Sequence, residues 1–254
     1  MHTLRIHLLE IKYEFLKMLR MPAYALPTLL FPMFFYLFFG VGMGAQKPVG
    51  AVKMATYLLA TYGTFGVMGA SLFGFGVTVA VERGQGWLQV KRTTPMPVSA
   101  YFVAKIAMAI LFSALVVTGL FTLGVTLGNV HMPFAAAAKL FLILLGGALT
   151  FCALGLAIGY YAGPNSAAPI VQLIYLPLSF LSGLWIPIWM LPKALQRLAF
   201  FLPPFHLSQL ALSAVGSDRG GPAIVHVIVL AIATAIFLAV AYAGFRRDEG
   251  KMYG

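Results

Sequence analysis

The chain has 254 residues, of which 61% are hydrophobic and only 9% charged, and its mean hydropathy is +0.93. A soluble domain carries about 25% charged residues, so so little charge excludes a water-soluble globule and requires lipid around the fold. The formal charge of +11 does not point to nucleic acid, because the 17 Lys and Arg are scattered at the ends of apolar runs rather than gathered in a basic stripe.

The opening stretch, MHTLRIHLLEIKYEFLKMLR, lacks the continuous apolar core of a cleavable signal peptide. At about 100° per residue, Leu4, Leu8, Ile11, Phe15, Met18 and Leu19 fall in one stripe, with Thr3, His7, Glu10, Glu14 and Lys17 on the opposite side. This predicts an amphipathic helix over 1–21 lying in the cytoplasmic interface. Six apolar segments follow, at about 23–44, 54–80, 100–129, 138–161, 167–189 and 223–245. Each is long enough for a helix to cross ~30 Å of hydrocarbon. Cys152, the single cysteine, lies inside the fourth and reads as a small buried residue.

Orientation follows from the flanking cations. Both termini and the even-numbered loops hold Arg5, Lys12, Lys17, Arg20, Arg83, Lys91, Arg92, Arg246, Arg247 and Lys251. The opposite side holds Lys47, Lys53, Lys139, Lys193, Arg197 and Arg219, with Lys105 inside the third segment. Both termini are therefore expected in the cytoplasm, with the chain in the cytoplasmic (inner) membrane. Residues 81–98 form a polar, basic connection expected to be a cytoplasmic helix. Residues 190–222 are strongly apolar yet broken by Pro192, Pro203 and Pro204. They are expected to form short helices dipping into the outer leaflet, not a seventh span. Residues 246–254 form a cytoplasmic tail. Small residues four apart, as at Gly155, Gly159 and Gly163, Gly40 and Gly44, and Gly124 and Gly128, suit close helix approach.

Chemistry is sparse. All six acids (Glu10, Glu14, Glu82, Asp218, Asp248 and Glu249) lie at segment ends or in loops, whereas ion-coupled carriers usually hold acids at mid-membrane depth. The histidines are scattered and no HExxH occurs, so no metal site is expected. Ser182-Gly183 lacks the GxSG context of an intramembrane protease, and no GxxxxGK[ST] is present to bind ATP.

Two stretches carry a resemblance. The second cytoplasmic loop has Glu82-Arg83, Gly86-Trp87-Leu88, Thr94-Pro95-Met96-Pro97, then Lys105. The late segment has Ser182-Gly183, Pro187, Leu191-Pro192, Leu195-Gln196, Pro203-Pro204 and His206. In this order between spans they resemble the ABC-2 type permeases, the transmembrane subunits of ATP-binding-cassette exporters. The resemblance covers essentially the whole chain. It implies an all-α fold: one polytopic transmembrane domain over 1–254, with six spans, an interfacial N-terminal helix and a cytoplasmic coupling helix.

It also implies a second permease subunit, giving a homodimer or a pair with a close relative, and two copies of an ATP-binding-cassette ATPase that hold the ATP and Mg. No bond chemistry and no cofactor are expected in this chain, and membrane lipids are its surroundings. Glu82, Arg83, Gly86, Thr94 and Pro95 are the expected coupling residues. Arg83, Lys91 and Arg92 serve equally well as positive-inside anchors, and Glu82 can pair with the ATPase or with the N-terminal helix. Two polar stripes, Tyr57, Thr61, Thr64, Met68 and Ser71 on the second segment and Gln172, Tyr175, Ser179 and Ser182 on the fifth, are candidates for the path. Ordinary interhelical hydrogen bonding explains them as well. Weak polar groups among aromatics suit a hydrophobic or amphiphilic cargo, drug-like or lipid-like. The alternatives are a non-transporting membrane scaffold and a gradient-driven secondary carrier.

Overall fold

In the computed structural model, residues 2–87, 90, 93, 97–219 and 221–250 are described. Helix α1 spans His2–Leu19. A break before Pro22, whose lost N–H suits a first helical turn, starts α2, which continues through a wide turn to Gly42. A two-residue hairpin, Pro48–Val49 against Val52–Lys53, leads into α3, Met54–Gly84. Then come α4, Val98–Thr126, α5, Phe134–Tyr161, and α6, Ala167–Leu181. Two short helices, α7 at Lys193–Ala199 and α8 at Pro203–Ala214, precede α9 at Ala223–Gly250.

Among the described residues, five helices are long and apolar enough to cross a membrane: α2, α3, α4, α5 and α9. The expected fifth span, 167–189, differs. Its helix stops at Leu181, and 15 residues at 1.5 Å each reach about 22 Å, short of ~30 Å of hydrocarbon. The stop has a local cause. Ser182 leaves helical geometry, Gly183 takes φ +71, and the chain turns through Pro187 into the short turn Ile188–Met190.

Helix α3 is the centre of the bundle, with every residue from Ala55 to Ser71 buried. At Leu72–Val77 it widens into a π-turn. This brings Gly76 against Gly155 and Gly159 of α5: a Cβ on Gly76 would stand 3.0 Å from the Gly155 carbonyl oxygen. Gly155 and Gly159 thus act as a close-packing pair. Gly163 belongs instead to the turn after α5, closing on Ser166.

Helix α1 packs on the start of α4, with Phe15 against Phe112 at 5.4 Å between ring centres and Met18 buried beside Tyr24 and Met108. The expected division of its faces is corrected in part. Ile11, Phe15 and Met18 turn inward, but Leu4, Leu8 and Leu19 are exposed and Glu14 is buried.

Candidate functional site

The acid at the exit of α3 is not displayed on the surface, its side chain being 13% exposed. Glu82 joins a four-membered ring of alternating charge built from three helices. Lys17 of α1 donates to Glu14 Oε2 at 2.7 Å and to Glu82 Oε1 at 2.5 Å. Lys105 of α4 donates to Glu14 Oε1 at 2.6 Å and to Glu82 Oε1 at 2.9 Å. Thr78, one turn before Glu82, accepts a further bond from Lys105 at 2.9 Å, and the Tyr101 hydroxyl donates to Glu82 Oε2 at 2.7 Å.

Physical chemistry explains the assembly. Lys105 sits two turns inside an apolar helix with its side chain fully buried. A buried ammonium requires opposite charge and satisfied donors. It has three donors, and Glu14, Glu82 and Thr78 take all three. Removing a carboxylate from the fully buried Lys105 costs ~3–5 kcal/mol, because the remaining charge is stranded. Burial works against the Lys17 ammonium, but the carboxylates of Glu82 and Glu14 outweigh it and hold its pKa above the ordinary lysine value.

Arg83 points the other way. Its Nη1 donates to the Tyr160 carbonyl at 2.6 Å and to Asp248 Oδ2 at 2.9 Å, and its Nη2 donates to the Ala162 carbonyl at 2.8 Å. It therefore caps the orphan carbonyls at the end of α5 and ties in the end of α9. Gly86, at φ +76, makes the left-handed turn that ends the helix. Thr94 and Pro95 lie outside the described residues. Among the described residues of this loop, Gln85, Trp87, Val90 and Thr93 face out.

Beside the charged ring, α2, α3 and α6 line a half-open cavity of about 420 Å³. Its walls include Tyr24, Pro27 and Phe31 of α2, Gly69, Phe73 and Val77 of α3, and Gln172 and Tyr175 of α6. Thr28, Thr78 and Gln172 add polar groups to an otherwise apolar lining. Tyr175 is fixed by its hydroxyl, which donates to the Phe65 carbonyl at 3.1 Å, and by stacking on Phe65 at 4.7 Å.

The two expected stripes do not face each other. Helix α6 meets α3 at Phe65 and Gly69, not at Tyr57, Thr61, Thr64 or Ser71, which are buried elsewhere around α3. Thr61 and Thr64 return their hydroxyls to the carbonyls of Leu58 and Ala60 on their own helix. Tyr57 packs edge-on to Trp189 at 5.3 Å. Ser179 donates to the Leu176 carbonyl at 2.7 Å and accepts from Trp185 Nε1 at 2.9 Å, while Ser182 is buried at the helix stop. Of the nine path candidates, Gln172 and Tyr175 line the cavity. The residues that sequence reasoning left out, Glu14, Lys17, Thr78, Tyr101 and Lys105, had one visible signal. A lysine inside a span demands a carboxylate at its own depth.

A helical domain with five helices long and apolar enough to span a bilayer, counted among the described residues, is that of a polytopic membrane protein. Residues 8–215 match the family model of the ABC-2 type transporter, and the chain belongs to that family. It is 29% identical over 237 residues to the "Putative transport permease YvfS" of Bacillus subtilis (strain 168), an alignment covering 93% of this chain and 95% of that protein.

Proposed function

We propose that this chain is the membrane subunit of an ABC exporter, moving a hydrophobic or amphiphilic molecule outward across the cytoplasmic membrane. Two copies form the path and two ATPase subunits drive it. In this reading the membrane domain has six membrane segments, with α6 as a short fifth that relies on α7 and α8 to complete the outer side, and both termini are cytoplasmic.

The observation that carries the cargo class is the cavity between α2, α3 and α6, apolar apart from Thr28, Thr78 and Gln172. A lipid-like or drug-like molecule fills such walls with its apolar body, and the few polar groups orient it. Coupling is assigned to the loop after α3. Glu82 and Arg83 are committed to partners inside the chain, so the contact with the ATPase falls to the outward-facing Trp87 and Val90, which are 53% and 56% exposed. Glu82 and Arg83 then carry the loop's displacement into the helices they hold.

The test is purification of the chain with its ATPase subunit, followed by ATP-dependent movement of a fluorescent lipid-like amphiphile in sealed vesicles. A 2:2 complex with ATP-dependent export is the expected result. A stable solitary chain with no ATPase partner would support a scaffold instead. Uptake driven by an ion gradient without ATP would support a secondary carrier.

A further inference from the structure

The two lysines of the charged ring are placed differently. Lys105 is fully buried, while Lys17 is 42% exposed. Between α1 and the end of α3 lies a second chamber, of about 540 Å³, walled by Glu10, Glu14 and Lys17 on one side and Val81, Glu82 and Gln85 on the other. It meets the apolar cavity at Met21, Val77 and Thr78, which line both. Lys17 lines this chamber and Lys105 does not.

We propose that Lys105 is a fixed pin and Lys17 a releasable clasp across the chamber, so that parting Lys17 from Glu82 opens a doorway from the cytoplasmic interface onto the apolar cavity. The energetics of the two lysines differ in kind. Water can replace the partners of a half-exposed ammonium, so an exposed ion pair opens easily. Nothing can replace the partners of a fully buried one, so its pairs persist. When the clasp opens, Glu14 and Glu82 keep their bonds to Lys105, and α1 pivots on that pin without leaving α4. The half-open chamber then offers carboxylates at headgroup depth and apolar walls behind them, the two ends that an amphiphile presents. Use of the doorway by cargo rests on the exporter reading above. The motion of the clasp does not.

The test uses the full chain in lipid nanodiscs, with Val77→Cys as a reporter at the junction and Cys152→Ala to remove the native thiol. The first readout is the rate of labelling by a water-soluble maleimide. The second is the rate of trypsin cleavage of α1 at Lys12. Lys17→Met should speed labelling several-fold and leave cleavage unchanged, and Lys17→Arg should restore slow labelling. Lys105→Met should speed cleavage of α1. Unchanged labelling in Lys17→Met overturns the proposal, as does a result in which both lysine variants move both readouts together. Should Lys105→Met fail to fold, the Lys17→Met and Lys17→Arg pair decides alone. Because labelling needs no cargo, a working clasp in a chain that exports no amphiphile sinks only the exporter reading. Export with unchanged labelling sinks only the clasp.

Discussion

Helices α3 and α9 both run long enough to cross a bilayer, yet they solve opposite problems. Over their most apolar stretches, 83% of α3 is buried within the chain and 11% of α9, although α9 has the higher mean hydropathy, 2.8 against 1.7. Lipid is the solvent here, so the helix that faces it must be uniformly aliphatic, and α9 exposes Ile224, Ile228, Ile232 and Ile236. The central helix is released from that demand. It carries Thr, Tyr, Ser and Gly, whose small or polar side chains let neighbours approach and bond. Hydropathy therefore finds both spans but gives the lower value to the one that is buried.

The sharpest way to break this contrast is a size change in α3 set against a shape change of constant volume in α9. Gly76→Leu places a side chain where a Cβ alone would meet the Gly155 carbonyl at 3.0 Å. The obstacle is backbone and cannot rotate away, so the cost exceeds the ~1–3 kcal/mol of ordinary overpacking. Loss of a monodisperse peak on size-exclusion chromatography is expected. The equally apolar Ile232→Leu on α9, at a 54% exposed position, should leave the peak intact. An intact Gly76→Leu protein would show that the α3–α5 contact is not close-packed.

Helix α9 has little buried surface, and polar clips fasten it at three heights. His226 meets His206 of α8 at 2.8 Å between their Nδ1 atoms, Thr234 meets Thr150 of α5 at 2.8 Å, and Asp248 meets Arg83 at 2.9 Å. The Arg83 clip should matter most, because that guanidinium also holds the carbonyls of Tyr160 and Ala162. Bonds to charged groups contribute ~1.5–3 kcal/mol each. Arg83→Leu should lower the melting temperature clearly and expose the end of α9 to proteolysis, whereas Asp248→Asn should do less, since both carbonyl bonds remain. Equal effects of the two would mean that Arg83 acts only through Asp248. The His226 clip ranks next. A single Nδ1–Nδ1 bond holds one proton, so one ring must accept while the other donates. His226→Phe removes a net ~0.5–1.5 kcal/mol bond and should loosen α8 from α9, measurable as faster amide exchange in Pro203–Ala214.

What could be read beforehand follows the same division. The apolar runs announced α2 to α5 and α9 because length against bilayer thickness is a local property. The fifth run misled because residues 182–189 stay apolar while Gly183 and Pro187 stop the helix, and hydropathy does not register a backbone turn. The charged ring was hidden for a different reason. Lys105 pairs with Glu14, 91 positions away, and with Glu82, 23 away, and periodicity placed Glu14 on a side expected to face water. The helical wheel sorted residues by polarity, but a buried lysine on a neighbouring helix reverses which side packs. Glu82-Arg83 was visible in the sequence as a charged pair. That its two members pull on different helices was not, because adjacent residues on a helix point about 100° apart, toward neighbours that only the fold supplies.

The smallest effect is expected at the middle clip. Thr234 donates to the Leu230 carbonyl of its own helix at 2.7 Å as well as meeting the Thr150 hydroxyl. Its hydroxyl is satisfied without α5, and what Thr234→Val removes is Thr150's partner rather than a buried donor of its own. Interhelical hydrogen bonds in membranes average only ~0.6 kcal/mol, so a shift in melting temperature near the limit of detection is expected. The double variant Thr150→Val with Thr234→Val should be no worse than either single change, since it removes both ends of the bond and strands neither. If Thr234→Val instead matched Arg83→Leu, α9 would be held by its middle. The picture of a lipid-facing helix clipped chiefly at its C-terminal end would then be wrong.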